Sequence, residues 1–458
     1  MDKDHLDKLS FPDVSSVHAL PYHLCLSRLL LLIMNYRIYP PDELLQTTVD
    51  LPLSKSVSNR ALIIGALSQE SIIPQPLAEC SDTTVMLRAL QSTDEIINAA
   101  DAGTAMRFLT AYFACQDGRT VTIDGTERMR RRPIGPLVDA LRKCGAGIEY
   151  LGEEGFPPLK INGKKLQGGD ISIDATISSQ FISALLMIAP KMAKGLRLTL
   201  VGEVASLPYI DLTLSMMQTA GAIAERTVDV VEVSSGSYTS ADKLKAEKDW
   251  SAAAFWYEIE ALTCGFTTLQ GLDINSRQPD QRAIEIFGRL GVSTEEGEDS
   301  PEDIDLAGLP DVSPRLIADM SSTPDLVPAV AVTCAMNGVP FQLSGLESLK
   351  IKECDRFDAL ASELLKVGVV IENTGNHTMS WDGQRRPIME LPIFDTYGDH
   401  RMAMALAPVS TYIPGIVVRD IEVVKKSYPT FWTDLQQAGF TLIDADNEIN
   451  PNTPDTEQ

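Results

Sequence analysis

Ser54-Lys-Ser-Val-Ser-Asn-Arg60 gathers three hydroxyls, an ammonium and a guanidinium in seven residues. The stretch follows an extended run, 48–53, and opens an apolar run of helical character, 61–67. A helix start presents free backbone N–H groups and the positive end of the helix dipole, both of which favour an anion. Lys55 and Arg60 add full charges, and a guanidinium matches phosphate or carboxylate with two parallel bonds. The chemistry this pattern suits is the holding of a phosphorylated or carboxylated small molecule. Taken alone, the same residues serve equally as a serine-capped surface helix with two solvated cations.

Comparable stretches recur. Asp101-Ala-Gly-Thr-Ala-Met-Arg107 places Gly103 at a helix entry, where a missing side chain lets a ligand approach the backbone. Arg128-Met-Arg-Arg-Arg-Pro-Ile-Gly135 is either a solvated charge run or a loop that aims Arg132, whose exit Pro133 restricts. Thr176-Ile-Ser-Ser-Gln180 precedes an apolar helix and suits a phosphate or a simple cap. Ser206-Leu-Pro-Tyr-Ile-Asp211 reads as a structural turn. In Asp319-Met-Ser-Ser-Thr-Pro-Asp325 the carboxylates can cap a helix, act as a base or bind hydroxyls. Lys350-Ile-Lys-Glu-Cys-Asp-Arg356 alternates charges before a helix. Tyr397-Gly-Asp-His-Arg-Met-Ala-Met404 starts an apolar helix with His400 and Arg401, a costly pair to bury unless an anion balances it. Lys426 precedes the last helix.

The elements that must carry these residues repeat. Six apolar helical runs begin near Ser56, Ala102, Ser178, Asp249, Ser321 and Asp399. Amphipathic second helices end in glycine at 145, 221, 291, 368 and 439, a residue suited to a left-handed helix terminus. Those glycines lie 70–77 residues apart, and β-branched runs separate the helices. Each unit reads as β-α-β-α-β-β, an α/β (α+β) architecture. Six units divide into two lobes of three. The first is short, with 46 residues between helix starts against 76 in the next, and its closing strand pair is missing. If the lobes face each other, the cationic helix starts converge on one cleft, fit for two small, multiply anionic ligands.

A chain of 458 residues exceeds one ordinary core. The net charge of −24 argues against nucleic-acid binding and makes any local cationic cluster more informative. Seven cysteines without CxxC spacing indicate a reduced, cytoplasmic protein without structural zinc. The apolar run 24–34 is too short to span a bilayer and lacks the flanks of a signal peptide. Residues 1–33 read as an unstructured extension and 444–458 as a loose tail.

The ordered set L-P-x-S-K-S-V-S-N-R (51–60), A-G-T-A-M-R (102–107), R-P-I-G-P-L-V-D-A-L (132–141), S-S-Q-F (178–181), P-Y-I-D (208–211), K-E-C-D-R (352–356) and D-H-R-M-A-M (399–404) resembles the 5-enolpyruvylshikimate-3-phosphate synthases. The resemblance spans about 46–443. It implies the two-lobed enolpyruvyl-transferase fold (an alpha-beta prism), with six β-α-β-α-β-β repeats. Here 54–246 would form one lobe and 34–53 with 247–443 the other. It further implies transfer of the carboxyvinyl group of phosphoenolpyruvate to the 5-hydroxyl of shikimate 3-phosphate, with no metal or organic cofactor, in a cytoplasmic monomer.

By that resemblance, Ser178, Ser179, Ser206 and Arg60 hold shikimate 3-phosphate, with Lys55, Ser56, Gln180, Tyr209, Asp319 and Lys352 beside them. Lys55, Asp101, Gly103, Arg132, Gln180, Arg356, Arg401 and Lys426 meet phosphoenolpyruvate. Asp319 is the expected base at the 5-hydroxyl, Glu353 handles protons at the methylene carbon, and Lys55 and His400 complete the catalytic set. Three positions depart from the family pattern: Leu53 stands for glycine, Asp101 for asparagine and Ser348 for asparagine. A carboxylate at 101 faces an anionic ligand, and Arg107 or Arg132 is the expected balancing partner. Two rival readings are a UDP-N-acetylglucosamine enolpyruvyl transferase and a non-catalytic, anion-binding descendant of the synthase. The first calls for a reactive cysteine in a basic loop, which this sequence does not offer.

Overall fold

A computed structural model of the chain describes residues 34–445, apart from 205, 299 and 376. The expectations for 1–33 and for the tail beyond 445 lie outside the described residues.

The described residues form twelve α-helices in six consecutive pairs: α1 (Lys55–Leu67) with α2 (Ser81–Gln91), α3 (Gly103–Ala114) with α4 (Gly135–Lys143), α5 (Ser179–Ile188) with α6 (Leu207–Thr219), α7 (Trp250–Thr263) with α8 (Ala283–Gly288), α9 (Val327–Asn337) with α10 (Arg356–Leu365), and α11 (His400–Leu406) with α12 (Phe431–Gln437). The first helix of each pair is apolar on nearly every side. Residues 181–188 of α5, 327–336 of α9 and all of α11 are buried. A helix without a polar face must be enclosed on all sides. Accordingly α1, α3 and α5 pack against one another inside one hydrophobic core, and α7, α9 and α11 inside a second. The second helices are amphipathic; α4 buries Leu137, Val138, Ala140 and Leu141 and exposes its charges. Five of them run out into glycines 145, 221, 291, 368 and 439, all with φ between +81° and +104°. That is the left-handed region in which a glycine ends a helix without strain.

Five four-stranded sheets share one order. In the sheet of the α3–α4 unit, Ile96–Asn98 runs parallel to Thr120–Asp124, then Leu159–Asn162 and Gly147–Tyr150 follow antiparallel. Gly169–Asp174, Leu196–Val201, Val230–Val233 and Ala224–Arg226 repeat the pattern. Two strands near the start of the chain belong to sheets of its second half. Gln46–Val49 pairs parallel with Phe266–Leu269, and Tyr36–Tyr39 lies between Ile416–Val418 and Thr441–Asp444. The chain therefore crosses between the two cores twice. The crossings lie side by side, joined by Ser54 N–H to Glu247 O (2.7 Å), Asp249 N–H to Pro52 O (2.9 Å) and a Leu53–Lys248 bridge. Leu53 thus sits in a two-stranded connection, in extended backbone that requires no glycine.

The first unit departs further from the repeat than its length suggests. It lacks the closing strand pair, and no sheet of its own occurs among the described residues. A loop takes the place of the sheet. Ile72 N–H donates to Gly65 O (3.1 Å), and a side chain at Gly65 would meet Ile72 O at 2.5 Å. Ala78 N–H donates to Ser58 Oγ (2.8 Å), and Ile72 and Leu77 pack on the first core. The 68–80 loop, seated on α1, covers what a sheet covers elsewhere. Among the described residues no helix is long and apolar enough to cross a membrane.

Two carboxyls on α7 are misplaced for a core. Glu258 is fully buried with neither oxygen hydrogen-bonded, and burial pushes its pKa far up. Burial also pushes Glu260 up to about 7, against a hydroxyl bond from Thr267 that acts in the other direction. Between pH 4.5 and about 7 the folded chain holds a proton at Glu260 that the unfolded chain has released. This contribution is complete below pH 4.5 and lost as pH rises through about 7. From the size of that shift, wild type loses on the order of 3 kcal/mol from this group between pH 5 and 8. Glu260→Gln should remove that share of the loss in denaturant melts at the two pH values. Parallel losses in both proteins would refute the assignment.

Candidate active site

The starts of the inner helices α1, α3, α5, α9 and α11, with those of α6 and α10, meet in one cleft of about 910 Å³, counting space open to solvent. From the first core come Lys55, Ser56 and Arg60 of α1, Gly103, Thr104 and Arg107 of α3, Ser178, Ser179 and Gln180 at α5, and Ser206 and Tyr209 at α6. From the second come Asp325 before α9, Lys352, Glu353 and Arg356 at α10, and His400 and Arg401 of α11. Arg132, Asp82 and Ser348 complete the polar lining. Side-chain caps explain why the helices begin where they do. Ser178 accepts from Gln180 N–H, Asp249 from Ser251 N–H and Asp399 from Arg401 N–H.

Seven cations line the cleft against three carboxylates, Asp82, Asp325 and Glu353. The lining is strongly positive in a chain of net charge −24. Two of the cations are buried without a carboxylate. Arg60 spends its donors on neutral oxygens: Thr213 Oγ1 (2.7 Å), Ser56 O (2.9 Å) and Ser183 Oγ (3.3 Å). It lies between the Phe108 and Tyr209 rings, and burial lowers its pKa to about 10. Arg107 donates to Gly103 O (3.0 Å) and stacks on Phe181. Burial, then Arg132, lowers its pKa to about 9. Both remain charged at neutral pH. A buried, unpaired guanidinium is costly, and an anionic ligand removes that cost. Gly103 lies directly against Arg107 and Arg132: a Cβ there would meet Arg107 Nη1 and Arg132 Nη1 at 2.6 Å each.

On the opposite wall Arg356 is 1% exposed and bonds three carboxylates: Asp399 (2.7 Å), Asp325 (2.7 Å) and Glu353 (2.9 Å). Arg401 donates to the other Asp325 oxygen, Oδ2 (3.0 Å), and Lys352 stands 3.6 Å from Oδ1, the oxygen that Arg356 bonds. Burial alone would raise the Asp325 carboxyl, but Arg401, Lys352 and Arg356 hold it well below the usual range. Glu353 is likewise raised by burial and brought well below its usual value by Arg356, Lys426 and Arg132. Lys55 lies 3.5 Å from Asp82. Burial disfavours its charge, yet Asp82 and Glu353 keep its pKa above the ordinary value. His400 is buried with neither ring nitrogen hydrogen-bonded. Burial, Lys55 and Arg401 drive its pKa well down, so the imidazole is neutral at pH 7.

Of the residues singled out from sequence, Lys55, Ser56, Arg60, Gly103, Arg132, Ser178, Ser179, Gln180, Ser206, Tyr209, Lys352, Glu353, Arg356, His400 and Arg401 lie together on the cleft. Asp319 does not. It ends the strand Leu316–Asp319, is exposed, and its oxygens accept from Ser321 N–H and Oγ–H (3.0 Å each). The carboxylate of that stretch that lines the cleft is Asp325, six residues on. The signal lay in the repeat itself, since chemistry gathers just before the inner helices and Asp325 stands two residues before α9. Asp82 left no such mark, because the first unit is irregular. Asp101 pairs with neither Arg107 nor Arg132. It takes Lys426 (2.8 Å), which reaches across from the other core at the edge of the cleft. Among the described residues no group of three or more His, Cys, Asp or Glu is arranged to hold a metal ion.

The family model for EPSP synthase (3-phosphoshikimate 1-carboxyvinyltransferase) matches residues 90–435. The chain is 47% identical over 411 residues to a Bacteroides fragilis protein named 3-phosphoshikimate 1-carboxyvinyltransferase, covering 89% of this chain and 99% of that one. A Methanospirillum hungatei protein of the same name is 35% identical over 422 residues, covering 84% and 94%. Among solved structures, an EPSP synthase from Acinetobacter baumannii superposes with a TM-score of 0.71 at 21% identity, covering 90% of this chain and all of that one. The enolpyruvyl transferase NikO from Streptomyces tendae does so with 0.67 at 14%, covering 90% and 100%. At those identities both structures speak for the fold alone.

Proposed function

The chain belongs to the EPSP synthase family, and from that premise we propose that it transfers the carboxyvinyl group of phosphoenolpyruvate to the 5-hydroxyl of shikimate 3-phosphate, releasing phosphate. The observation that carries the reading within this molecule is the cleft that buries Arg60 and Arg107 without carboxylate partners. Two ligands that each bear a phosphate and a carboxylate supply the missing charge.

In this reading Arg60, Ser178, Ser179, Ser206 and Tyr209 hold shikimate 3-phosphate, and Lys55, Arg132, Arg356, Arg401 and Lys426 hold phosphoenolpyruvate. Asp325, rather than Asp319, takes the proton of the 5-hydroxyl. Its support is a position on the cleft wall, and arriving anions, by neutralising Arg401, Lys352 and Arg356, restore the basicity that those cations take from it. The hydroxyl oxygen attacks the enol carbon while Glu353 delivers a proton to the methylene carbon. Glu353 then takes a proton back from the resulting methyl group, the C–O bond to phosphate breaks, the double bond re-forms, and the proton that Asp325 took leaves with the phosphate. General acid–base steps of this kind contribute about 10²–10⁴-fold each.

Glu353 must be protonated to act first as an acid, yet it is held ionised in the free protein. Arriving anions resolve this, because they neutralise Arg356, Lys426 and Arg132, the cations that hold its pKa down. Lys55, kept charged by Asp82 and Glu353, steadies the departing phosphate. The same reading places the enzyme in the cytoplasm as a monomer. The full chain with both substrates should release phosphate, and neither substrate alone should. Binding of both without phosphate release would leave the anion-binding descendant as the correct reading.

A further inference from the structure

Lys426 ends the 3-10 turn Ile421–Lys426 and is 8% exposed, while the Asp101 side chain is 45% exposed. The ammonium donates to Asp101 Oδ2 (2.8 Å) and to the Asp101 carbonyl (3.0 Å), and lies 3.8 Å from Glu353. Next to it, Ser81 Oγ–H donates to Lys425 O (3.1 Å). The first core therefore grips one turn of the second at the cleft rim, through a carboxylate that stands two residues before α3. The backbone at the α3 start and the neighbouring Arg107 and Arg132 form the place where an anion is most favoured. A carboxylate already stands at its edge.

We propose that Asp101 is a built-in competitor of the anionic substrate, holding Lys426 until phosphoenolpyruvate displaces it, so that residue 101 determines affinity and selectivity for that substrate. This rests on the function proposed above, in which Lys426 meets phosphoenolpyruvate. Binding then requires Lys426 to exchange one anion for another, with the Asp101 charge left beside the newcomer. A dianionic phosphate beside a carboxylate can win that exchange, whereas a singly charged anion is a poorer competitor. Selectivity against small monocarboxylates follows from repulsion as much as from attraction.

Asp101→Asn keeps the shape and removes the charge. KM for phosphoenolpyruvate should fall about tenfold, a modest value for relieving a like-charge contact. KM for shikimate 3-phosphate should stay within twofold, and the effect should appear in KM far more than in kcat. Inhibition by acetate or formate should strengthen in the variant by a similar factor. Raised ionic strength should shrink the difference between the two proteins, because the competing pair is partly exposed. An unchanged or higher KM for phosphoenolpyruvate in the variant overturns the proposal; a higher one would make Asp101 a positioning residue for Lys426. Failure of the functional reading is separable, since wild type would then show no turnover at all.

Discussion

Asp325→Asn should lower kcat by about 10³-fold, within the range for losing a positioned general base. The substitution keeps the volume and leaves Arg356 and Arg401 one carboxylate fewer to share. KM for phosphoenolpyruvate should therefore change little or fall, because two cations become freer to meet it. Asp319→Ala is the paired control. That carboxylate is exposed and, among the described residues, bonded only to Ser321, so kcat should stay within about twofold, as for surface changes away from a site. Steady-state phosphate release on the two variants decides which aspartate acts. A large loss in Asp319→Ala with little in Asp325→Asn would reverse the assignment and show that the two walls rearrange when ligands bind.

Arg356→Met should damage both stability and catalysis. Removing one partner from a buried ion pair costs about 3–5 kcal/mol, and here three carboxylates lose their shared partner at once. The melting temperature should fall by several degrees, and kcat/KM for phosphoenolpyruvate by at least about 10³-fold. The pH dependence separates this from an ordinary packing defect. Asp325 and Glu353 are held below their ordinary values of 3.8 and 4.5. Their contribution to stability is present above those values and is lost as pH falls through the lower values of the folded state. Without Arg356 those folded-state values rise toward the unfolded ones. Stability should then fall less steeply on acidification in the variant than in wild type. A uniform drop at every pH would indicate lost packing instead.

The two variants concern opposite ends of what could be read in advance. Lys55, Arg60, Arg132 and Arg356 were legible because each stands in a dense local pattern of charge at a helix start. The β-α-β-α-β-β unit was legible because its glycine termini and apolar helices recur at nearly fixed spacing. Asp319 and Asp325 share one seven-residue stretch, and no local feature separates a carboxylate that ends a strand from one that opens toward a cleft. The rule that ranks them is positional, and it holds only once the strand end at Asp319 and the start of α9 are placed.

Sequence alone determined the repeated unit, the polarity of its inner helices and the concentration of cations at their starts, since all of these follow from neighbours along the chain. Tertiary structure decided which charges share a partner. Asp101 found Lys426 rather than a nearby arginine, Asp82 reached Lys55 within the irregular first unit, and three carboxylates converged on Arg356. The Asp101–Lys426 pair crosses between the two cores, and Arg356 draws Asp325 and Asp399 from stretches 31 and 43 residues away along the chain. Electrostatic attraction and burial act on distance through space, which spacing along a chain of this length does not encode.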